Sequence, residues 1–243
     1  MSGLIHYRVT FANGKELEFS WDLDRPPPEA PGPLPAWTKL DYHQCGHCPL
    51  RPSEHPHCPL AVSLVSLCDK SADAWSFDVV AVEVDTQTRN IRFQAPAQKA
   101  LSSLMGLIIP GSGCPHTVFL KPMAHFHLPN ANLEETIYRA ASMYLLAQFL
   151  LHQKDPAIQF DLAGLKRLYL NLHEVNVSIS ARLKSLAQKD APINAVIILD
   201  ALSQILPLSF DEAMTELHHI FQPYFDAAQT ARETVAQREP AGP

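Results

Sequence analysis

Three cysteine–proline steps constrain this chain more than any other feature. Cys48-Pro49 and Cys58-Pro59 lie in the stretch 44–60, which reads Q-C-G-H-C-P-L-R-P-S-E-H-P-H-C-P-L. Cys114-Pro115 lies far downstream in G-S-G-C-P-H. Cys45 and Cys48 form a CxxC pair, which puts two thiols on one tight loop within reach of a single centre. Cys58 returns ten residues later. Cys114 has to come from another element, and a Gly-Ser-Gly turn lets backbone N–H groups approach a sulfur closely. Four thiolates suit tetrahedral zinc and equally a [4Fe–4S] cluster. Zinc ribbons bring their ligands as two paired knuckles, whereas this set is one pair and two singles. Proline directly after a ligating cysteine is a feature of the bacterial ferredoxin run. The expectation is therefore a metal site of Cys45, Cys48, Cys58 and Cys114 holding a [4Fe–4S] cluster, with zinc as the alternative. His47, His57 and His116 each neighbour a candidate cysteine and could replace one. Cys68, which ends an apolar run and lacks a proline, reads as a buried small hydrophobe.

The count of five cysteines is odd, and CxxC in a chain of this type points to metal or redox chemistry rather than a structural disulfide. A thioredoxin-like pair would sit at a strand-to-helix junction, but here the motif follows a proline-rich connector. The N-terminus has no basic region leading into an apolar run with a small-residue cleavage site. The apolar stretch near 140–151 is broken by Ser142 and Gln148, short of the ~20 residues of a membrane span. These features imply a cytoplasmic protein without a membrane partner. A net charge of −6 and no evident basic face also argue against a nucleic-acid partner.

The N-terminal third reads as strands. Ile5, Tyr7, Val9 and Phe11 alternate with polar residues, as do Leu17, Phe19 and Trp21, and Asn13-Gly14 predicts a two-residue hairpin turn. Residues 25–36 carry six prolines in twelve positions and read as an extended connector. After Cys58, with Pro59 in the tolerated first turn, the run L-A-V-S-L-V-S-L-C predicts a helix. Residues 77–84 and 91–94 predict a second strand pair, the first apolar on both faces and hence central.

Beyond Pro96 the pattern turns helical. Helices are expected over 97–109 and from a capping pair Asn132/Glu135 to about Gln153. The second of these is apolar nearly all round and so reads as the central buried helix. Another follows Asp161 with a stripe running from Leu162 to Leu186. A further one opens at Asp190-Ala-Pro192, and a last one is capped by Ser209 and Glu212. The fold class is α+β: about four strands in antiparallel hairpins (1–96, including the connector and the cysteine loop), then a helical bundle of four to five helices (97–238), in one integrated domain. The tail beyond Arg238 is expected to fray.

Other chemistry is thin. His125 and His127, on a strand, would share a face and could meet a metal. Arg139 and Glu135, four apart on a helix, read as an exposed pair. No phosphate loop, nucleophile elbow or zinc-protease helix is present. The leading reading is thus a metal-binding, non-catalytic protein serving electron transfer, redox sensing or structure. A structural zinc clamp in a module that binds a protein partner is the second. An enzyme using the centre, with His116, His125 or His127 lining a pocket, is the third.

Several strings, among them Q-C-G-H-C-P-L, H-C-P-L-A, S-G-C-P-H-T-V-F-L-K-P-M and E-E-T-I-Y-R-A-A-S-M-Y-L-L-A-Q, resemble a family of bacterial proteins classed as a domain of unknown function. The resemblance runs from about Leu4 to Phe225. It implies a bacterial source and carries over no catalytic residue.

Overall fold

A computed structural model describes residues 3–27, 32–185 and 190–238. Two compact units divide at Pro207: Met1–Pro207 and Leu208–Pro243. The first holds a four-stranded antiparallel sheet of order β2-β1-β3-β4, formed by β1 (Leu4–Phe11), β2 (Glu16–Asp22), β3 (Val79–Asp85) and β4 (Asn90–Pro96). The α+β class is observed, with the strands at the N-terminal end and most helices C-terminal to them.

Period-two alternation sets one face of the sheet inward. Ile5, Tyr7, Val9 and Phe11 are buried, and the register places Val9 between Leu17 of β2 and Val82 of β3. Polar residues face out: Arg8 contacts both Glu18 and Glu83. β3 is central, as its composition predicts, but it is not buried on both faces. Val80, Val82 and Val84 point inward while Val79 is 61% exposed; the apolar run reflects β-propensity rather than double coverage. The first hairpin also differs from expectation. Phe11 N–H donates to the Lys15 carbonyl across a three-residue loop, and Gly14 alone takes positive φ, at 83°, as in the three-residue class of hairpin.

The inner face packs on α1 (Pro59–Ser71) and α2 (Ala97–Gly111). α2 is the central helix, with eleven buried residues. The helix expected to be central, α4 (Leu133–His152), buries only Ile137, Ala140 and Ala141; Leu146, Phe149, Leu150 and Leu151 are exposed. Its capping box is formed as predicted by Asn132 and Glu135. α3 (Lys121–His125) is a single turn, so His125 and His127 lie on no strand and diverge. His125 faces Asp24 at 3.5 Å, and the His127 ring meets Tyr7.

α5 (Ala163–Lys184) buries Leu165, Leu172, Val175, Ile179 and Leu183 along the expected stripe. The Asp161 carboxylate takes the Ala163 N–H at 2.9 Å. α6 (Ala191–Arg238) runs through Ser209 and Glu212 without a break, so no new helix starts there. Asp190 precedes it and ties the chain back to the loop before β3, accepting from Ser76 N–H and Oγ at 2.8 and 2.9 Å. One window, Ala191–Leu208, is long and apolar enough by length and composition to cross a membrane, and 33% of it is buried inside the protein. At 18 residues it is longer than the 140–151 stretch, the one weighed from the sequence as a possible span. Residues 28–31 of the proline-rich connector and the tail beyond Arg238 lie outside the described residues.

Candidate metal centre

The loop between the connector and α1 is folded by its own backbone. A short 3-10 turn at Ala36–Thr38 leads into it. Leu40 N–H donates to the Pro56 carbonyl at 3.0 Å, and Cys58 N–H to Thr38 at 2.8 Å. Within the CxxC turn, Cys48 N–H donates to the Cys45 carbonyl at 3.1 Å. Cys58 is the N-cap residue of α1, where the helix dipole favours negative charge. Cys45 and Cys58 are both partly buried against the main apolar core.

Cys114 comes to this loop from the end of α2. Gly113 adopts φ 83°, a left-handed turn that glycine takes without penalty. That turn brings the following residues back towards the CxxC pair. The His116 ring stacks on the His47 ring with centroids 3.9 Å apart, and His116 Nε2–H donates to the His47 carbonyl at 3.0 Å. The 69-residue separation between these two histidines is thereby closed at a single point. Electrostatic coupling follows the same geometry: Cys45 senses Cys58 and Cys48, and Cys114 senses Cys58 and Cys45. All four candidate cysteines therefore belong to one neighbourhood. All five cysteines of the chain are free. Cys68 is not part of the set; it is buried in α1, where burial pushes its thiol up to about 12.

Burial and one backbone donor act on the sulfurs of this neighbourhood. Burial raises the Cys45 thiol above its ordinary value, and the nearby Ser178 hydroxyl of α5 donates to the His43 carbonyl. Burial likewise pushes Cys114 up to about 11, against the His116 backbone N–H; the Thr117 hydroxyl donates to the Ile109 carbonyl at 2.9 Å. The Gly-Ser-Gly turn was expected to present backbone N–H to a sulfur; the amide that acts on Cys114 is instead that of His116, beyond the turn. The three histidines are less available than their positions suggested. His57 is engaged by the Thr38 hydroxyl through Nδ1 at 2.8 Å. His116 uses Nε2 on the His47 carbonyl. Both ring nitrogens of His47 are sealed from solvent without a well-formed hydrogen bond. Burial first, and then the neighbouring His116, hold its pKa below the ordinary histidine value.

Arg182 was not anticipated. Only 1% exposed, it donates to the carbonyls of Trp37 and Lys39 at 2.7 Å each, and of Leu40 at 3.1 Å. These acceptors are neutral, Nε has no partner, and among the described residues no carboxylate pairs with it. A buried guanidinium without a counter-charge is costly, and the Cys45 sulfur is the group whose anionic form it favours. A sequence signal existed: residue 182 is in phase with the buried stripe, seven after Val175 and three after Ile179.

Among the described residues, no three His, Cys, Asp or Glu side chains stand in a set that could hold a metal ion. The thiols therefore share a neighbourhood without closing on one point. A zinc ion, with Zn–S bonds of about 2.3 Å, would require them to draw together. A four-iron cube, bound through sulfurs roughly 6 Å apart, demands a wider cage.

The family model described as "Domain of unknown function (DUF6901)" matches residues 5–222. The chain belongs to that family. No curated protein and no solved structure matches it. The match includes every candidate cysteine, the two stacked histidines and Arg182, so the whole neighbourhood lies inside the family domain.

Proposed function

We propose that this DUF6901 chain is a metal-binding protein whose Cys45, Cys48, Cys58 and Cys114 hold a [4Fe–4S] cluster for electron transfer, redox sensing or structural clamping. The observation that carries the reading is the meeting of the two cysteine-bearing loops beneath a buried, uncompensated guanidinium. A thiolate-ligated cluster carries net negative charge, which Arg182 would offset. The His116 N–H would donate to a ligating sulfur, the kind of contact that tunes cluster potential. The chain's own contribution is to fix two loops, supply that donor and limit solvent access.

Purification without air, followed by the visible spectrum and iron and acid-labile sulfide assays, tests this. A brown protein with about four irons and four sulfides per chain is expected. A colourless protein with one zinc per chain would replace the cluster with a structural zinc clamp. A metal-free protein that folds and stays folded under chelation would remove both.

A further inference from the structure

A second site lies away from the cysteines. α2 and α3 close one side of a cavity of about 190 Å³, and α4, α5 and the start of α6 close the other. Its walls are apolar, with Ile109, Leu120, Met123, Leu172, Leu199 and Leu202 prominent. Set among them is a small group of polar side chains. Two are cationic, Arg139 and Lys99, and among the described residues no acidic one lines the space. Arg139 is not the exposed partner of Glu135 that its spacing suggested. Glu135 is committed to the backbone N–H of Asn132 at 2.8 Å. One Arg139 nitrogen, Nη2, is anchored on the carbonyls of Met123 and Phe126 at 2.7 and 2.9 Å, which aims the guanidinium and leaves its other donors uncommitted to any carboxylate. Asn130 holds positive φ at 58°, and its amide oxygen is buried with no hydrogen-bond partner.

The apolar walls and the fixed guanidinium specify an occupant. An apolar body is needed to fill the walls, an anion to meet the guanidinium, and the fixed guanidinium fork matches a carboxylate in two-point fashion. An engineered apolar cavity of about 150 Å³ accepts benzene, so this one has room for a ring or short chain plus a carboxylate. We infer that the cavity between α2 and α4–α6 binds a small monocarboxylate with an aromatic or short aliphatic body, its carboxylate on Arg139. No cysteine lines the cavity, so the site stands independently of the metal reading.

Titration calorimetry on the full chain, as purified, tests it with benzoate and octanoate as probes and benzyl alcohol and 1-octanol as neutral counterparts. Saturable 1:1 binding of a carboxylate is expected, at least tenfold tighter than its alcohol. Arg139→Gln should weaken the carboxylate at least tenfold and leave the alcohol unchanged. Because Arg139 also anchors two carbonyls, Leu202→Phe serves as a second variant: it fills the cavity and should abolish binding at an unchanged melting temperature. Alcohols that bind as well as the acids would overturn the proposal. So would a native chain that binds neither probe, or carboxylate binding untouched by Leu202→Phe.

Discussion

The His47 ring lies face to face with that of His116, centroids 3.9 Å apart and planes 28° from parallel. This contact fixes the CxxC loop against the segment that carries Cys114. The proposal of one four-cysteine centre requires the thiols of both segments to act together. Serine at Cys45, Cys58 or Cys114 is therefore expected to remove most of the iron and sulfide from anaerobically purified protein. Cys68→Ala should retain both and lose only core packing, at a cost of about 1 kcal/mol. Metal analysis of gel-filtered variants reads this directly, and native iron content in Cys114→Ser would break the set.

Arg182 is the support of the loop whether or not a metal is bound. Replacing it with methionine leaves the carbonyls of Trp37, Lys39 and Leu40 without their donors. The expected cost is about 2–4 kcal/mol: each buried carbonyl left unpaired costs about 1–3 kcal/mol, and removing an uncompensated buried charge offsets part of the sum. Arg182→Lys should recover only part of it, because an ammonium cannot span three carbonyls in one plane. Urea unfolding measures the loss. A change below about 1 kcal/mol in the methionine variant would mean that the loop holds itself.

Much of this architecture is legible in the chain, because local period decides it. The alternation at Ile5–Phe11, the N-cap at Asn132 and the stripe from Leu165 to Leu183 each follow from neighbours within one element. What escapes is which apolar face finds a partner. α4 carries Leu146, Phe149, Leu150 and Leu151 at helical spacing, yet these remain exposed while α2 takes the centre against the sheet. Composition measures the capacity to be buried, and topology determines whether burial occurs. The approach of Cys114 to the CxxC loop follows a glycine turn visible in the sequence, but among the described residues no three metal-ligating side chains stand in a set that could hold an ion. Arg182 was concealed because charge suggests a surface position, although its phase on α5 places it inside. Helix continuity through Ser209 was missed for a related reason: a good capping pattern is only a local option, and an uninterrupted backbone ladder can override it.

Two glycines in α2 should respond to alanine with opposite signs. A β-carbon at Gly111 would overlap Nε1 of the Trp21 indole and sit 3.0 Å from Cε2. The ring is buried against the core and cannot swing away, so Gly111→Ala is expected to cost about 1–3 kcal/mol. A β-carbon at Gly106 would meet nothing within 4 Å. That position is in the helix interior, so Gly106→Ala should stabilise by about 0.5–1 kcal/mol. Paired thermal melts test both; a Gly111→Ala variant at least as stable as the native chain would refute the close approach at Trp21, and a destabilised Gly106→Ala would refute the open space there.

Acid should weaken this fold through His127. Its Nε2 is hydrogen-bonded to the Tyr7 hydroxyl, and that hydroxyl also meets Ser103 Oγ at 3.0 Å. Burial, and then the nearby Arg139 cation, push the His127 pKa down from 6.5 to about 3. In the unfolded chain the same imidazole takes its proton near the ordinary value. Between the two values the unfolded state binds more protons, so stability is full above about pH 6.5 and declines as pH falls towards 3. The residue keeps some contact with solvent, which discounts the effect to about 1–2 kcal/mol between pH 7 and pH 5. Urea midpoints across that interval should fall for the native chain. In His127→Gln, which can still bond Tyr7 but does not titrate, the decline should be smaller by that amount. An identical slope in the two proteins would show that His127 is not the group being protonated.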